Sequence, residues 1–480
     1  MKIFSPVGLL FCFGVAAILG LSGSVASAAE KAPNIILIFA DDQGYQDIGC
    51  FGSPLIKTPN LDKMADEGMK FTDFHVGSPV CSASRAALLT GSYCARVGVT
   101  GVLFPRNRNG LNPDEITIAD LMKSKGYATA CIGKWHLGHH AKFLPTNNGF
   151  DSYFGIPYSN DMTIDPTAPF AKDAVLREGM TVEKVRAEKP KKNWVPLMRN
   201  EEVIEYPCDQ TQLTKRYTEE AIKFITENKE GPFFLYLPHT MPHIPLFVSD
   251  KFVGHNKERG LYGDVIEEMD WSVGQVLKTL KKLKLEENTL VVYTSDNGPW
   301  LSKGENGGSA LPLRDGKFTT YEGGMRVPCI MRWKGQIPSG TECKEIAATI
   351  DLLPTFSHFA GATVPTDRVI DGKNISDLML GKTGAKSPHE ILFHRDAAAR
   401  KGNWKLMLKG RSTVKGQPAG PFPALYDLST DLSETKNLAE QHPEIVKELS
   451  AAIAAHNAEI KANSRPAGQL DPLPKKTGKK

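Results

Sequence analysis

The chain has 480 residues, and its 58 lysines and arginines nearly balance 54 aspartates and glutamates, for a formal net charge of +4. A balance this even does not announce a nucleic-acid binder, whose footprint is a basic excess. Hydrophobic residues at 41% and charged residues at 23% describe an ordinary globular protein, long enough for one large domain and a smaller one.

Met1 and Lys2 precede an apolar stretch from about Val7 to Val25 that closes with Ala26-Ser27-Ala28. A short basic start, an apolar segment and a small-x-small ending describe a secretory signal peptide. On apolar length alone a membrane anchor competes. The cleavage-like ending and the globular pattern directly after it favour removal of residues 1–28, export to the periplasm or beyond, and no stable membrane insertion. Cys12 leaves with that segment. Besides Cys81, six cysteines remain, which allow fifteen pairings, and no spacing selects one.

Asn34-Ile35-Ile36-Leu37-Ile38-Phe39-Ala40 is a continuous apolar, β-branched run, which predicts a strand buried on both faces of a parallel sheet. It discharges into Asp41-Asp42-Gln43-Gly44. Adjacent carboxylates at the carboxyl end of a central strand repel unless something positive lies between them, and that end is where open α/β sheets bind ligands. A hard divalent cation with oxygen ligands resolves the repulsion; a solvated polar turn is the bland alternative. Residues 58–68 predict a connecting helix with Pro59 early and Gly68 at its end.

Residues 78–91 read Ser-Pro-Val-Cys-Ser-Ala-Ser-Arg-Ala-Ala-Leu-Leu-Thr-Gly and predict a helix with Cys81 in its first turn. Such a start offers unpaired N–H groups and a partial positive charge, and Arg85 adds a cation one turn on. A buried structural cysteine remains equally open on these residues alone.

Residues 117–125 predict a helix and 127–132 a strand, followed by Gly133-Lys134-Trp135-His136-Leu137-Gly138. Alternation at a strand end lets Lys134 and His136 point one way while Trp135 packs on the other side. Residues 154–159 predict a short strand that reaches a turn at Ser159. Periodicity fades over residues 161–200, which predict a long insertion loop at the substrate rim, its charge run a solvated surface. A helix over 211–228 and a buried strand over 232–237 lead to Pro238-His239-Thr240-Met241-Pro242-His243, where His239 repeats the placement of a polar residue after a strand. Residues 264–283 form an amphipathic helix whose apolar stripe is core packing.

The strand at 289–294 runs into Ser295-Asp296-Asn297-Gly298, two more oxygen ligands for a hard cation. Gly304 to Gly308 is a flexible segment. A glycine-rich stretch from Asp315 to Pro328 carries Lys317, by default a surface lysine. Beyond it come a strand at 328–333 and a helix opening at 350–355. From about Ser376, short strands near 391–394, 404–408 and 424–427 and a helix near 444–460 predict a small antiparallel subdomain. Proline, glycine and lysine dominate from 464, which predicts a disordered basic tail. The expected divisions are thus 1–28, 29–375, 376–463 and 464–480.

Converged, the residues after these strands make a pocket of one metal, several cations and two histidines around Cys81. That suits a tetrahedral, multiply charged oxyanion, hence sulfate or phosphate ester hydrolysis rather than peptide cleavage.

Cys81-Ser82-Ala83-Ser84-Arg85 followed by Ala-Ala-Leu-Leu-Thr-Gly resembles the signature of type I, formylglycine-dependent sulfatases, with Ala83 where the commoner pattern has proline. Gly133 to Gly138 and the Gly-Lys followed by Tyr-Glu-Gly-Gly at 316–324 resemble two further motifs of that family. The resemblance spans about residues 33–460 and is closest to the arylsulfatase A and N-acetylgalactosamine-6-sulfatase branch. It implies an alkaline-phosphatase-like α/β fold: a large mixed, mostly parallel sheet sandwiched by helices, plus a small C-terminal antiparallel sheet with a helix. It implies one calcium ion held by Asp41, Asp42, Asp296, Asn297 and residue 81, and a Cys81 converted to formylglycine by a maturation enzyme. Its hydrate attacks sulfur, balanced by Arg85; Lys134 and Lys317 hold sulfate oxygens, with Ser159 nearby. His239 protonates the departing alcohol and His136 regenerates the aldehyde. The implied substrate is a sulfated carbohydrate or aryl sulfate. A phosphodiesterase or phosphonate hydrolase on the same fold, and a non-catalytic sulfated-glycan-binding protein, are the alternatives; a two-metal phosphatase lacks evident ligands for its second ion.

Overall fold

Asn34–Ala40 forms the strand that its apolar run predicts, and all seven residues are buried. The computed structural model describes residues 1–6, 8 and 32–471. The expected signal segment and residues 472–480 of the expected tail therefore lie wholly or almost wholly outside the described residues. Asn34–Ala40 pairs in parallel with Phe233–Pro238 on one side and Thr289–Ser295 on the other. Both neighbours are equally apolar and wholly buried, as strands covered by helices on two faces must be. Ala128–Ile132 and Ser152–Gly155 extend the parallel set, so five strands point their carboxyl ends at one edge.

Strand alternation feeds two cores. Ile35, Leu37 and Phe39 pack on one face with the Cys81–Thr90 and Leu352–Ala360 helices. Ile36, Ile38 and Ala40 pack on the other with Leu213–Glu227 and Gly260–Lys282. The stripe of Val265, Met269, Val273, Val276 and Leu280 is buried there, as its period requires.

The main sheet has 11 strands. Cys329–Arg332 joins antiparallel beyond Thr289–Ser295, followed by Met69–Phe71 and Thr341–Cys343. At the opposite edge the expected insertion loop is instead built into the sheet. Leu197–Arg199, Glu202–Tyr206 and Phe170–Leu176 continue it outward, and Val182–Ala187 is a short helix. Phe170–Leu176 has no buried residue, so the apolar signature of a core strand is missing from it.

The C-terminal sheet is antiparallel, in the order Leu392–His394, Ala398–Lys401, Trp404–Met407, Ala424–Asp427, with the helix Pro443–Ala462 packed on it through Leu449 and Ile453. Ala398–Lys401 is a strand that the sequence pattern does not reveal: two alanines and two cations carry no β signal. Residues from Ala32 onward, this sheet included, cluster as one compact unit. Buried charge fastens the sheet. Arg400 and Lys405 donate to Glu322 at 3.0 and 2.9 Å. The tail begins later than expected, because Gly468–Gln469 pairs with Asn109–Gly110 and Arg465 Nε donates to Glu115 at 2.7 Å. Among the described residues no cysteines are bonded to one another, and no helix is long and apolar enough to cross a membrane.

Candidate active site

The five parallel strands deliver their polar residues to one place. Asp41 and Asp42 leave Asn34–Ala40, and Asp296 and Asn297 leave Thr289–Ser295; the two turns lock together as the Asp42 amide donates to Asp296 Oδ1 at 3.1 Å. Cys81 is the first residue of its helix, behind the extended Val80, and is 1% exposed. Donor atoms of Asp41, Cys81 and Asp296 lie within 4.8 Å of one another, as do those of Asp41, Asp42 and His243. Segments more than 200 residues apart in sequence thus meet at the Cys81 thiol.

Cations interleave the acids. Arg85 donates through Nε and Nη2 to Asp296 Oδ2 at 3.1 and 2.9 Å, and through Nη1 to the Lys134 carbonyl at 2.7 Å. Lys134 Nζ reaches Asp41 Oδ2 at 2.5 Å and Ser159 Oγ at 3.3 Å. Lys317 Nζ sits 2.7 Å from Asp42 Oδ1. All are buried. Lys134 reaches this point because Gly133 turns the chain at φ 136, where a Cβ would lie 1.9 Å from the Pro238 carbonyl oxygen.

The environment sets each proton affinity. Burial, with Asp41 adding, pushes Asp296 up to about 6 against the pull of Arg85. Asp42 is likewise raised by burial, which Lys317 partly offsets. Burial also raises the Cys81 thiol, and Lys134 and Lys317 pull it back only in part. Burial opposes the charge on Lys317, but Asp42, Cys81, Asp41 and Asp296 together outweigh it and keep Lys317 an ammonium. His136 is held well below its usual range by burial, Lys134 and Arg85.

The donor set tests the expected cation. Asp41 Oδ1 and Asn297 Oδ1 are buried with no hydrogen-bond partner. Buried acceptors are almost always satisfied, so two orphaned oxygens beside crowded carboxylates mark a place for a positive partner. Four oxygen-donor side chains suit a hard divalent ion. The residues fit the group.

His136 adopts a left-handed backbone, φ 62, and its Nε2 lies 2.9 Å from the Leu103 carbonyl. An N–H there leaves Nδ1 as the lone pair, and Nδ1 is buried and unpartnered.

His239 is not in the site. Its amide continues the sheet pairing by donating to the Phe39 carbonyl at 2.8 Å, so its side chain points with the strand alternation toward the helix face. There Nε2 lies 3.4 Å from Ser272 Oγ, the ring faces Tyr217, and burial alone lowers it to about 4. The chain then folds back across the strand ends, the Met241 carbonyl accepting from the Asp41 amide at 3.1 Å. That return carries His243 into the pocket instead. Its ring lies 3.3 Å from Ser159 Oγ and 3.6 Å from Asp42 Oδ2, and burial, Lys317 and Lys134 keep it well below its usual range. The signal for it was present: His243 stands between Pro242 and Pro245 in a loop at the catalytic edge, but the nearer histidine fitted the strand-end rule.

Of the eleven residues expected in the site, nine therefore lie around the tenth, Cys81, and His243 stands in place of His239. Residues 33–362 match the Sulfatase family model, and residues 314–459 match the model of the N-sulphoglucosamine sulphohydrolase C-terminal region. The chain belongs to the sulfatase family. It is a sulfuric ester hydrolase. Over 490 residues it is 37% identical to human arylsulfatase A, covering 92% of this chain and 93% of that one. It is 38% identical to N-acetylgalactosamine-6-sulfatase of Canis lupus familiaris, covering 82% and 74%. The solved structure of Ps i-CgsB in complex with k-i-k-neocarrahexaose matches with a TM-score of 0.74 at 31% identity, covering 88% of this sulfatase and 93% of that chain.

Proposed function

We propose that this sulfatase is exported and hydrolyses a sulfate ester of a glycan, with Cys81 matured to formylglycine and one calcium ion beside it. The carrying observation is the meeting of the Cys81, Asp41 and Asp296 donor atoms within 4.8 Å beneath Arg85, Lys134 and Lys317. The N-acetylgalactosamine-6-sulfatase relative and the neocarrahexaose complex support a glycan substrate.

The calcium ion, held by Asp41, Asp42, Asp296 and Asn297 with residue 81, would supply Lewis-acid stabilisation of sulfuryl oxygens, and the aldehyde at 81 the nucleophile. The surrounding side chains do the rest. Asp296 fixes the Arg85 guanidinium, whose charge faces the reacting oxygen. Lys134 and Lys317, which pair with Asp41 and Asp42, would hold the sulfate oxygens through their ammonium groups. His243 is neutral in the free site; a bound anionic ester beside it raises its proton affinity, so it can take up a proton and release it to the departing alcohol. His136, with Nδ1 free, accepts the proton whose removal lets residue 81 expel sulfate.

The reading is tested by mass analysis of the peptide containing residue 81 from protein made in a host with a maturation enzyme, alongside hydrolysis of 4-nitrophenyl sulfate. A mass loss matching thiol-to-aldehyde conversion, with turnover, is expected. An unmodified cysteine in active enzyme would overturn it, and faster hydrolysis of an aryl phosphodiester would move the assignment to phosphoryl transfer.

A further inference from the structure

A cavity of about 260 Å3 opens beside the reacting centre, bounded by Pro79, Phe318, Arg395, Lys409 and Arg411, with Asp396 its one carboxylate. The hydrolysis described above does not use it. Two of its lining residues, Pro79 and Phe318, stand beside active-site residues in the chain. The Phe318 amide donates at 2.9 Å to the carbonyl of Pro79, two residues before Cys81, and Phe318 directly follows Lys317. Trp300 stands edge-on to Phe318 with ring centroids 5.4 Å apart, and its ring is 5.6 Å from that of His243 and 4.7 Å from Lys317 Nζ. Trp300 and Phe318 are each only partly covered, so an aromatic wall leads from the leaving-group side outward.

The outer end is basic. The Arg411 guanidinium lies 5.6 Å over the Phe318 ring and its Nε donates to the Phe318 carbonyl at 3.2 Å. Arg395 donates to the Thr100 carbonyl at 3.3 Å. Among the described residues neither arginine has a carboxylate partner, whereas Lys409 pairs with Asp396 at 2.7 Å. Two guanidinium groups outside any ion pair, beside the catalytic segments, suit a sulfate or carboxylate, which they can engage through paired N–H donors. An apolar aromatic wall between them and the reacting centre suits the C–H face of a sugar ring.

We propose that this cavity is a second anion subsite, which takes a sulfate or carboxylate of the sugar next to the one being desulfated. The sulfatase then prefers polyanionic oligosaccharides to isolated monosulfates. The proposal rests on the sulfatase reading and names its substrate class.

The test uses matured full-length enzyme, 4-nitrophenyl sulfate as substrate, and two competitive inhibitors: sucrose octasulfate and glucose 6-sulfate. Wild type is expected to bind the octasulfate about a hundredfold more tightly, and the Arg395→Ala/Arg411→Ala variant to lose about tenfold of that, since charge-assisted contacts are among the stronger ones. Its KM for 4-nitrophenyl sulfate and its inhibition by glucose 6-sulfate should not change. Lys409→Glu, at a side chain 67% exposed and so safe for folding, should show the same selective loss. Lys281→Ala/Lys282→Ala, which removes the same net charge elsewhere, should show none. Octasulfate inhibition that is unchanged in the arginine variant, or a loss shared by all ligands, overturns the subsite. A wild type inactive on every sulfate ester overturns the sulfatase reading instead; calorimetric binding of sucrose octasulfate then decides the subsite by the same comparison of variants.

Discussion

Two histidines four residues apart show what a single side chain's direction decides. His239 has no charged group among the causes of its lowered proton affinity, while His243 responds to both site lysines. His243→Ala is expected to lower kcat by about 10²–10³-fold, the range of a general acid–base residue, with the melting temperature kept. His239→Asn should do the reverse: kcat within about threefold of wild type, and a stability loss of about 1–3 kcal/mol from a disturbed buried polar contact. Thermal melts and steady-state kinetics on the two variants separate the roles, and a kcat collapse confined to His239→Asn would reinstate the sequence-based assignment. At the nucleophile, Cys81→Ala should abolish turnover while the circular dichroism and melting curve stay those of wild type. Residual hydrolysis near the wild-type rate would remove Cys81 from the chemistry.

At the scale of elements, legibility follows burial. Asn34–Ala40, Phe233–Pro238 and Thr289–Ser295 are buried on both faces, so their continuous apolar runs name them, and the polar residues that follow name the catalytic edge. Phe170–Leu176 and Ala398–Lys401 are set by pairing with neighbours that no local pattern encodes. Least visible is the charge network that fastens the C-terminal sheet. Asp73, Glu322 and Glu434 face Arg326, Arg400 and Lys405, three acids against three bases. His75 and His394 lie inside it. Donor atoms of His75, His394 and Glu322 lie within 4.8 Å, but Arg400 and Lys405 already occupy Glu322 and would repel a metal ion. Both histidines are instead held neutral, chiefly by burial, and neither ring nitrogen of His394 has a partner.

That arrangement fixes a pH dependence. Below about pH 6.5 the unfolded chain protonates both histidines and the folded chain does not, so stability falls as pH falls. Glu434, pushed up to about 7 by burial, acts in the opposite sense: it favours the fold below its unfolded value and loses that contribution as pH rises through 7. Against burial, Asp73 is held low by Arg400, Arg326 and His75, and Glu322 chiefly by Lys405 and Arg400; their contribution disappears only under stronger acid. His394→Phe should therefore remove about one proton from the slope between pH 6.5 and 5, at most about 1.4 kcal/mol per pH unit, and leave the variant more stable than wild type at pH 5.5. Denaturant melts at a series of pH values measure this; an unchanged slope would mean that His394 titrates normally inside the fold.

For the molecule as a whole, the cation proposed at the strand ends would tie the turns that follow two already paired strands to the helix of Cys81. Asp41 and Asp42 come from one strand and Asp296 and Asn297 from another, while the helix of Cys81 closes the set. Lys134 and Lys317 pair with Asp41 and Asp42. Binding to the folded chain alone then adds stability by mass action, about 2.7 kcal/mol at a hundred times the dissociation constant. Across a body of this length that corresponds to a rise of about 3 °C in melting temperature. Calcium added to chelator-treated enzyme is expected to produce this rise together with the return of activity, and Asn297→Ala, which removes an orphaned oxygen without touching the Arg85–Asp296 pair, should weaken both. If calcium restored activity with no change in melting temperature, the ion would be acting on the substrate rather than fastening the turns; if chelation altered neither, the four oxygen donors would hold no calcium.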